Sequence, residues 1–147
     1  MIRKLSKEEL FFEDISTGME LPTSKRGPIV RQQLIDYASA SGDYNKIHYD
    51  EGFAKIAKLP GCIAHGMLVM SIIGSYITDW AKGGVLKDFK IRFAGVTNEN
   101  DILTLKGNVL KKYSENGENL VEISVLSETQ DERITTQASA VIALKTK

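Results

Sequence analysis

The stretch MLVMSIIGSYI, Met67 to Ile77, decides the fold. It is the most apolar run in the chain, and from about Ala64 to Trp80 the only charged side chain is Asp79, with His65 as a further titratable group. The run is too short to cross a bilayer, which takes about 20 residues. Met67, Leu68, Met70, Ile72, Ile73, Tyr76 and Ile77 would cover most of a helix circumference. A helix apolar nearly all round is one surrounded by protein. The spacing therefore predicts a buried helix, and the rest of the chain must supply its cover.

Downstream, after Lys82-Gly83-Gly84, the period changes from helical to two. Phe89, Ile91 and Phe93 alternate with Lys90 and Arg92, and Leu103, Leu105 and Val109 with Thr104, Lys106 and Asn108. Val121, Ile123 and Val125 form a third row, and Ile134, Ala138, Ala140 and Ile142 a fourth. Such rows are strands with one buried face. Asn116-Gly117 is the favoured two-residue hairpin turn, and ETQDER joins the last two strands. Short connections predict an antiparallel four-strand meander wrapped around the helix, an α+β class.

Upstream, TSKRGPIV reads as a short strand ending in a turn at Gly27-Pro28. In RQQLIDYASAS, Leu34, Ile35 and Ala38 recur at helical spacing, and Gly42 follows where a left-handed residue ends a helix. Asp50 and Glu51 suit the start of a second short helix, with Phe53, Ile56 and Ala57 facing inward. LPGC, Leu59 to Cys62, breaks it.

The 147 residues fit one domain, 1–147. Hydrophobic residues make up 42% and charged residues 26%, as in an ordinary globular protein. Lysine plus arginine equals aspartate plus glutamate at 19 each, so no basic excess points to nucleic acid, and neutrality does nothing to oppose self-association. No apolar leader follows the first methionine, and the single cysteine, Cys62, suits a reducing compartment. The expectation is a cytoplasmic protein with no membrane partner.

Two short segments carry chemistry. In SGDYNKIH, Ser41 to His48, an ionised aspartate and a histidine that titrates near neutrality flank Asn45. Brought together over one water, Asp43 and His48 could take a proton at one atom and return it at another. A helix stop followed by a turn, with His48 as a packing residue, accounts for the same residue types. In GCIAHGML, a helix starting near His65-Gly66 leaves its first N–H groups without intrahelical partners. The Gly66 amide could then polarise an oxygen, or Gly66 could serve close packing alone; His65 reads as packing. Asp43, His48, Cys62 and His65 are all metal-ligand types, but a second cysteine and an HExxH pattern are missing, so no metal is expected. Cys62 has little beyond a helix N-terminus to lower its pKa.

The segment YASASGDYNKIHYDEGFAKIAKLPGCIAHGML, Tyr37 to Leu68, resembles the motif of the MaoC-like, (R)-specific enoyl-thioester hydratase/dehydratase family, A-x-x-S-G-D-x-N-P-x-H-x-D followed by a loop ending H-G-M. It is similar to the single-domain (R)-3-hydroxyacyl-thioester dehydratase subunits of bacterial fatty-acid elongation. The resemblance implies a hotdog fold, an antiparallel sheet wrapped around a long helix. It implies Asp43 and His48 as the catalytic pair, Asn45 as their support in substrate binding, and the Gly66 N–H on the thioester oxygen. It implies a CoA or acyl carrier protein thioester as substrate, no cofactor, and a homodimer, with a heterodimer of related subunits as the variant. Lys46 stands where the family usually has proline, and Val30 where relatives often carry a threonine cap worth about 1 kcal/mol. Thioester hydrolysis and non-catalytic acyl-thioester binding are the competing expectations on the same fold.

Overall fold

The computed structural model describes residues 8–147. The first seven residues, where no apolar leader is expected, lie outside the described residues. Among the described residues, helices α1 (Arg31–Ser41), α2 (Glu51–Ile56) and α3 (Gly66–Trp80) precede most of the sheet. The strands are β1 (Ser24–Arg26), β2 (Val85–Phe93), β3 (Leu103–Glu115), β4 (Glu118–Glu128) and β5 (Ile134–Leu144). All pair antiparallel in one five-stranded sheet of order β1-β3-β4-β5-β2. The hotdog arrangement implied by the resemblance is the one observed, with α3 lying against the sheet's inner face.

The period-two rows of β3, β4 and most of β5 pack as their alternation requires, whereas in β2 Phe89 and Ile91 are only half-buried and Phe93 is exposed. Leu103, Leu105, Val109, Val121, Ile123, Val125, Ala140 and Ile142 are buried, and with Leu68, Val69, Ile73, Tyr76 and Ile77 of α3 they form one core. Tyr76 lies wholly inside, its hydroxyl donating to the Pro22 carbonyl at 2.9 Å, and burial pushes the phenol up to about 12. Asn116 and Gly117 both take positive φ, 51° and 77°, as the two-residue hairpin between β3 and β4 demands.

Four expectations are corrected. The sheet is a meander only over β3-β4-β5. β2 crosses to the far edge and pairs with β5, because residues 94–102 are too many for a hairpin and run across the end of the sheet. On the way they bond to Ala64 (its N–H to the Thr97 carbonyl, 2.8 Å), Cys62 (its carbonyl to the Glu99 N–H, 3.0 Å) and Ile29 (its carbonyl to the Asn100 N–H, 2.6 Å). Second, Phe53, Ile56 and Ala57 are exposed, Ile56 at 81%, and Ala54 is the residue that α2 buries. A helix of one and a half turns offers one inward position, and which one is set by its anchor, not by its apolar count. Third, Ile134 is 41% exposed, while Thr135 and Thr136 are buried with Ser127 in a hydroxyl cluster at a shift of the β4–β5 register. Fourth, α3 is covered on one side only: Met67 (58% exposed), Ser71, Ser75, Thr78 and Asp79 form an outer stripe.

No helix of the described residues is long and apolar enough to cross a membrane.

Candidate active site

The first half of the site is a loop released by a helix end. α1 begins at Val30 without a side-chain cap and stops at Gly42, whose φ of 76° no other residue adopts cheaply. Asp43 leaves the helix there. Its Oδ1 accepts the Asn45 N–H at 3.2 Å, and the Asn45 Oδ1 accepts the Ile47 N–H at 3.2 Å, so two successive side-chain turns wind the chain into a single turn of 3-10 helix, Lys46–His48. Lys46 thus occupies the usual proline position in a loop that Asp43 and Asn45 shape by themselves. Arg31 braces it from outside, donating to the Tyr49 carbonyl at 3.3 Å and pairing with Glu99 at 2.5 Å. Glu99 holds the Arg31 guanidinium above its usual pKa against the opposing effect of burial.

His48 returns beneath Asp43 and is 7% exposed. Its Nδ1 lies 2.8 Å from the Ile63 carbonyl, which can only accept, so Nδ1 carries the proton of the neutral ring. Nε2 is then a bare lone pair, 3.8 Å from Asp43 Oδ2. That separation is too long for a direct hydrogen bond. Two acceptors at this spacing, one buried and one half-exposed, suit a third molecule that donates to both, as the two O–H groups of a water can.

The second half is the start of α3. His65 is its N-cap and Gly66 its first residue, so the Gly66 N–H has no intrahelical acceptor. A Cβ on Gly66 would stand 3.1 Å from Cζ of Phe93, so the close packing foreseen as one reason for this glycine is present. His65 does more than fill space. It is 1% exposed, its ring stacks on His48 with centroids 3.7 Å apart and planes 23° apart, and its Nε2 lies 3.2 Å from the Asp43 carbonyl. Its Nδ1 is buried without a partner among the described residues. Burial first, and the His48 ring second, hold its pKa below the ordinary histidine value, against the pull of Asp43. The sequence held one hint of this: the chain has only two histidines, and both fall in the motif.

All four expected site residues, Asp43, Asn45, His48 and Gly66, therefore come from one loop and one helix end that touch through the two imidazoles. Ligand-type atoms of Asp43, His48 and His65 lie within 4.8 Å of one another. They do not fit a metal ion. Nearly parallel rings point their in-plane lone pairs side by side, and one nitrogen of each ring is engaged with a carbonyl. Cys62 is buried, and burial pushes its thiol up despite Arg31 nearby, which removes it as a nucleophile.

A family model described as "MaoC like domain" matches residues 13–131, a span that includes the loop, the helix end and most of the sheet. The chain belongs to the MaoC-like domain family. Among curated proteins, this MaoC-like chain is 40% identical over 63 residues to the peroxisomal hydratase-dehydrogenase-epimerase of Neurospora crassa, covering 43% of the chain and 7% of that protein. It is 30% identical over 101 residues to fatty acid synthase subunit beta of Aspergillus oryzae, covering 67% of the chain and 5% of that protein. The chain thus spans less than a tenth of the length of either of these curated relatives. Among solved structures, the unliganded R-hydratase PhaJ1 from Pseudomonas aeruginosa superposes with a TM-score of 0.83 at 24% identity, over 95% of this chain and 88% of that one. That likeness shares the fold.

Proposed function

We propose that this MaoC-like protein catalyses the reversible hydration of trans-2-enoyl thioesters and the reverse dehydration of (R)-3-hydroxyacyl thioesters. The observation that carries the reading is the pair of facing acceptors, His48 Nε2 and Asp43 Oδ2 at 3.8 Å, next to the start of α3, where the Gly66 N–H has no intrahelical acceptor. A water donating to both acceptors keeps a lone pair free to attack C3 of the enoyl group. The proton it loses to the pair returns to C2 from the same side, so one water supplies both the C3 hydroxyl and the C2 hydrogen, and addition is syn. Charge builds on the thioester oxygen during attack, and the Gly66 N–H at the positive end of α3 is the donor for it. Asn45 supports this arrangement by holding the loop. The thioester serves as its own electron sink, and no step calls for a cofactor.

Crotonyl-CoA tests this directly. Loss of the enoyl absorbance without release of free thiol is the expected result. Thiol release would make the protein a thioesterase, and no change in either signal would make it an acyl-thioester-binding subunit.

We further propose that the working unit is a homodimer, with a CoA or acyl carrier protein thioester bound near the boundary between subunits. Among the described residues β2 is a nine-residue edge strand paired only to β5, and Phe93 and Val85 at its two ends are exposed at 49% and 60%. Long open edges invite pairing with another chain. Light scattering should give twice the mass of the chain at micromolar concentration; an active monomer would refute the assembly.

A further inference from the structure

We propose that His65 is a positioning residue. Its single imidazole holds both members of the acceptor pair, His48 by the face of its ring and Asp43 by its main-chain carbonyl, and so sets the separation and aim of Oδ2 and Nε2. The inference rests on the hydratase reading of the same site.

The geometry requires such a brace. Asp43 follows a helix end, its side chain is half-exposed, and its Oδ1 is engaged only with the Asn45 N–H two residues on. Those bonds shape the loop, which Ile63 and Arg31 hold further along, but they do not tie Asp43 itself to the rest of the molecule. The His65 Nε2–H does, bridging 22 residues of sequence to the Asp43 carbonyl. On the other side, the Ile63 carbonyl pins His48 at one atom, which leaves the ring free to tilt about that bond. The flat face of His65 removes that freedom, and Tyr37 backs His65 in turn at 4.8 Å between ring centroids.

Filling space would not select a histidine here. The carbonyl accepts, so the neutral ring keeps its proton on Nε2 and buries a bare Nδ1 with no partner. An unpaired buried acceptor is costly, and phenylalanine or leucine would fill the volume without it. What imidazole adds over phenylalanine is the N–H donor; what it adds over leucine is the flat face as well. The ring stays neutral next to His48, since burial and the neighbouring imidazole both lower its pKa, so the stack does not place two like charges face to face.

The test compares His65→Phe, His65→Leu and His65→Gln, each shown to be folded by circular dichroism, with the full-length protein on crotonyl-CoA. Phe and Leu variants should lose about ten- to a hundredfold in kcat with KM within about twofold, the mark of lost alignment without lost binding. His65→Gln keeps a side-chain N–H for the Asp43 carbonyl and should recover part of the loss. In an Asp43→Asn background the His65→Phe change should cost less than about threefold, because the geometry it supports is already gone. Nitrogen NMR of the imidazoles reads the same question without turnover. The chain has two histidines, so His65→Leu leaves His48 as the only signal; the Ile63 carbonyl should keep the proton on Nδ1, while the Nε2 line should broaden as the ring tilts. Folded Phe and Leu variants with kcat within twofold of wild type, or a loss fully additive with Asp43→Asn, would overturn the proposal. If the wild-type protein hydrates nothing, the function assigned above fails by itself, and the Nε2 line of His48 in His65→Leu decides the positioning role: broadening supports it, an unchanged line overturns it.

Discussion

Between Gly42 and His48 the chain is shaped by bonds that reach two residues along it: Asp43 to the Asn45 N–H, Asn45 to the Ile47 N–H. At His65 and Gly66 the partners are remote. The His48 ring, the Asp43 carbonyl and the Tyr37 ring surround His65, and the Phe93 ring of β2 lies over Gly66. The loop half of the site carries its backbone turns in its own sequence, with remote groups aiming its side chains, while the helix-end half acquires its geometry only when the sheet and the crossing segment 94–102 are in place. The loop that carries the proposed pair can therefore be written locally, but the ring proposed to align it and the proposed donor at Gly66 depend on the whole fold.

The largest effect should come from removing the pair itself. Asp43→Asn and His48→Gln should each lower hydratase turnover by about two to four orders of magnitude with a nearly unchanged melting temperature, measured on purified folded protein. Near-wild-type turnover in either would dissolve the loop half of the site.

Gly66→Val comes next. A side chain here would meet the Phe93 ring, 3.1 Å from a Cβ, and on the proposed function the thioester carbonyl as well. We expect about a hundredfold loss of activity, the size of one lost oxyanion donor. Repeating the change in a Phe93→Leu background separates the causes. Activity should stay low if the side chain blocks the substrate; recovery would show that Gly66 serves only the contact with β2.

Asn45→Ala should be milder. It removes the cap on the 3-10 turn at a cost of about 1 kcal/mol, with turnover down by about tenfold or less. An effect as large as that of Asp43→Asn would mean that the carboxamide meets the substrate as well as the loop.

The smallest effect concerns pH. The pKa of His65 is lowered in the folded protein from the ordinary 6.5, so the unfolded chain binds its proton more readily. Stability attributable to this ring is complete above about pH 6.5 and declines as pH falls through the range between that value and the lower folded one. The groups facing it are Asp43, His48 and Tyr37. Thermal melts below pH 6.5 should show a shallower acid loss in His65→Phe than in the wild type; equal slopes would show that His65 is not the buried neutral group responsible.

Several elements were legible in the residues alone because the physics behind them is local. Gly42 and Asn116-Gly117 adopt positive φ where a helix must stop and a hairpin must turn, and Asp50 caps α2 by accepting the Phe53 N–H. The alternation through Leu103–Val109 and Val121–Val125 marked strands with one buried face, since a period of two leaves little other choice. Asp43, Asn45, His48 and Gly66 were grouped only by the resemblance to the family motif, since their residue types alone fit a helix stop, a turn and close packing equally well. Tertiary structure alone decided the rest. Nothing local tells β2 to pair with β5 rather than β3, because strand partners are chosen by the path of the connection and the packing of the sheet. Nothing local tells α2 to bury Ala54 and leave Ile56 in the open, because one short helix can dock on more than one side. And no spacing rule brings His65 onto His48, since stacking across 17 positions of sequence is set by where α3 begins relative to the loop, a distance that only the folded core determines.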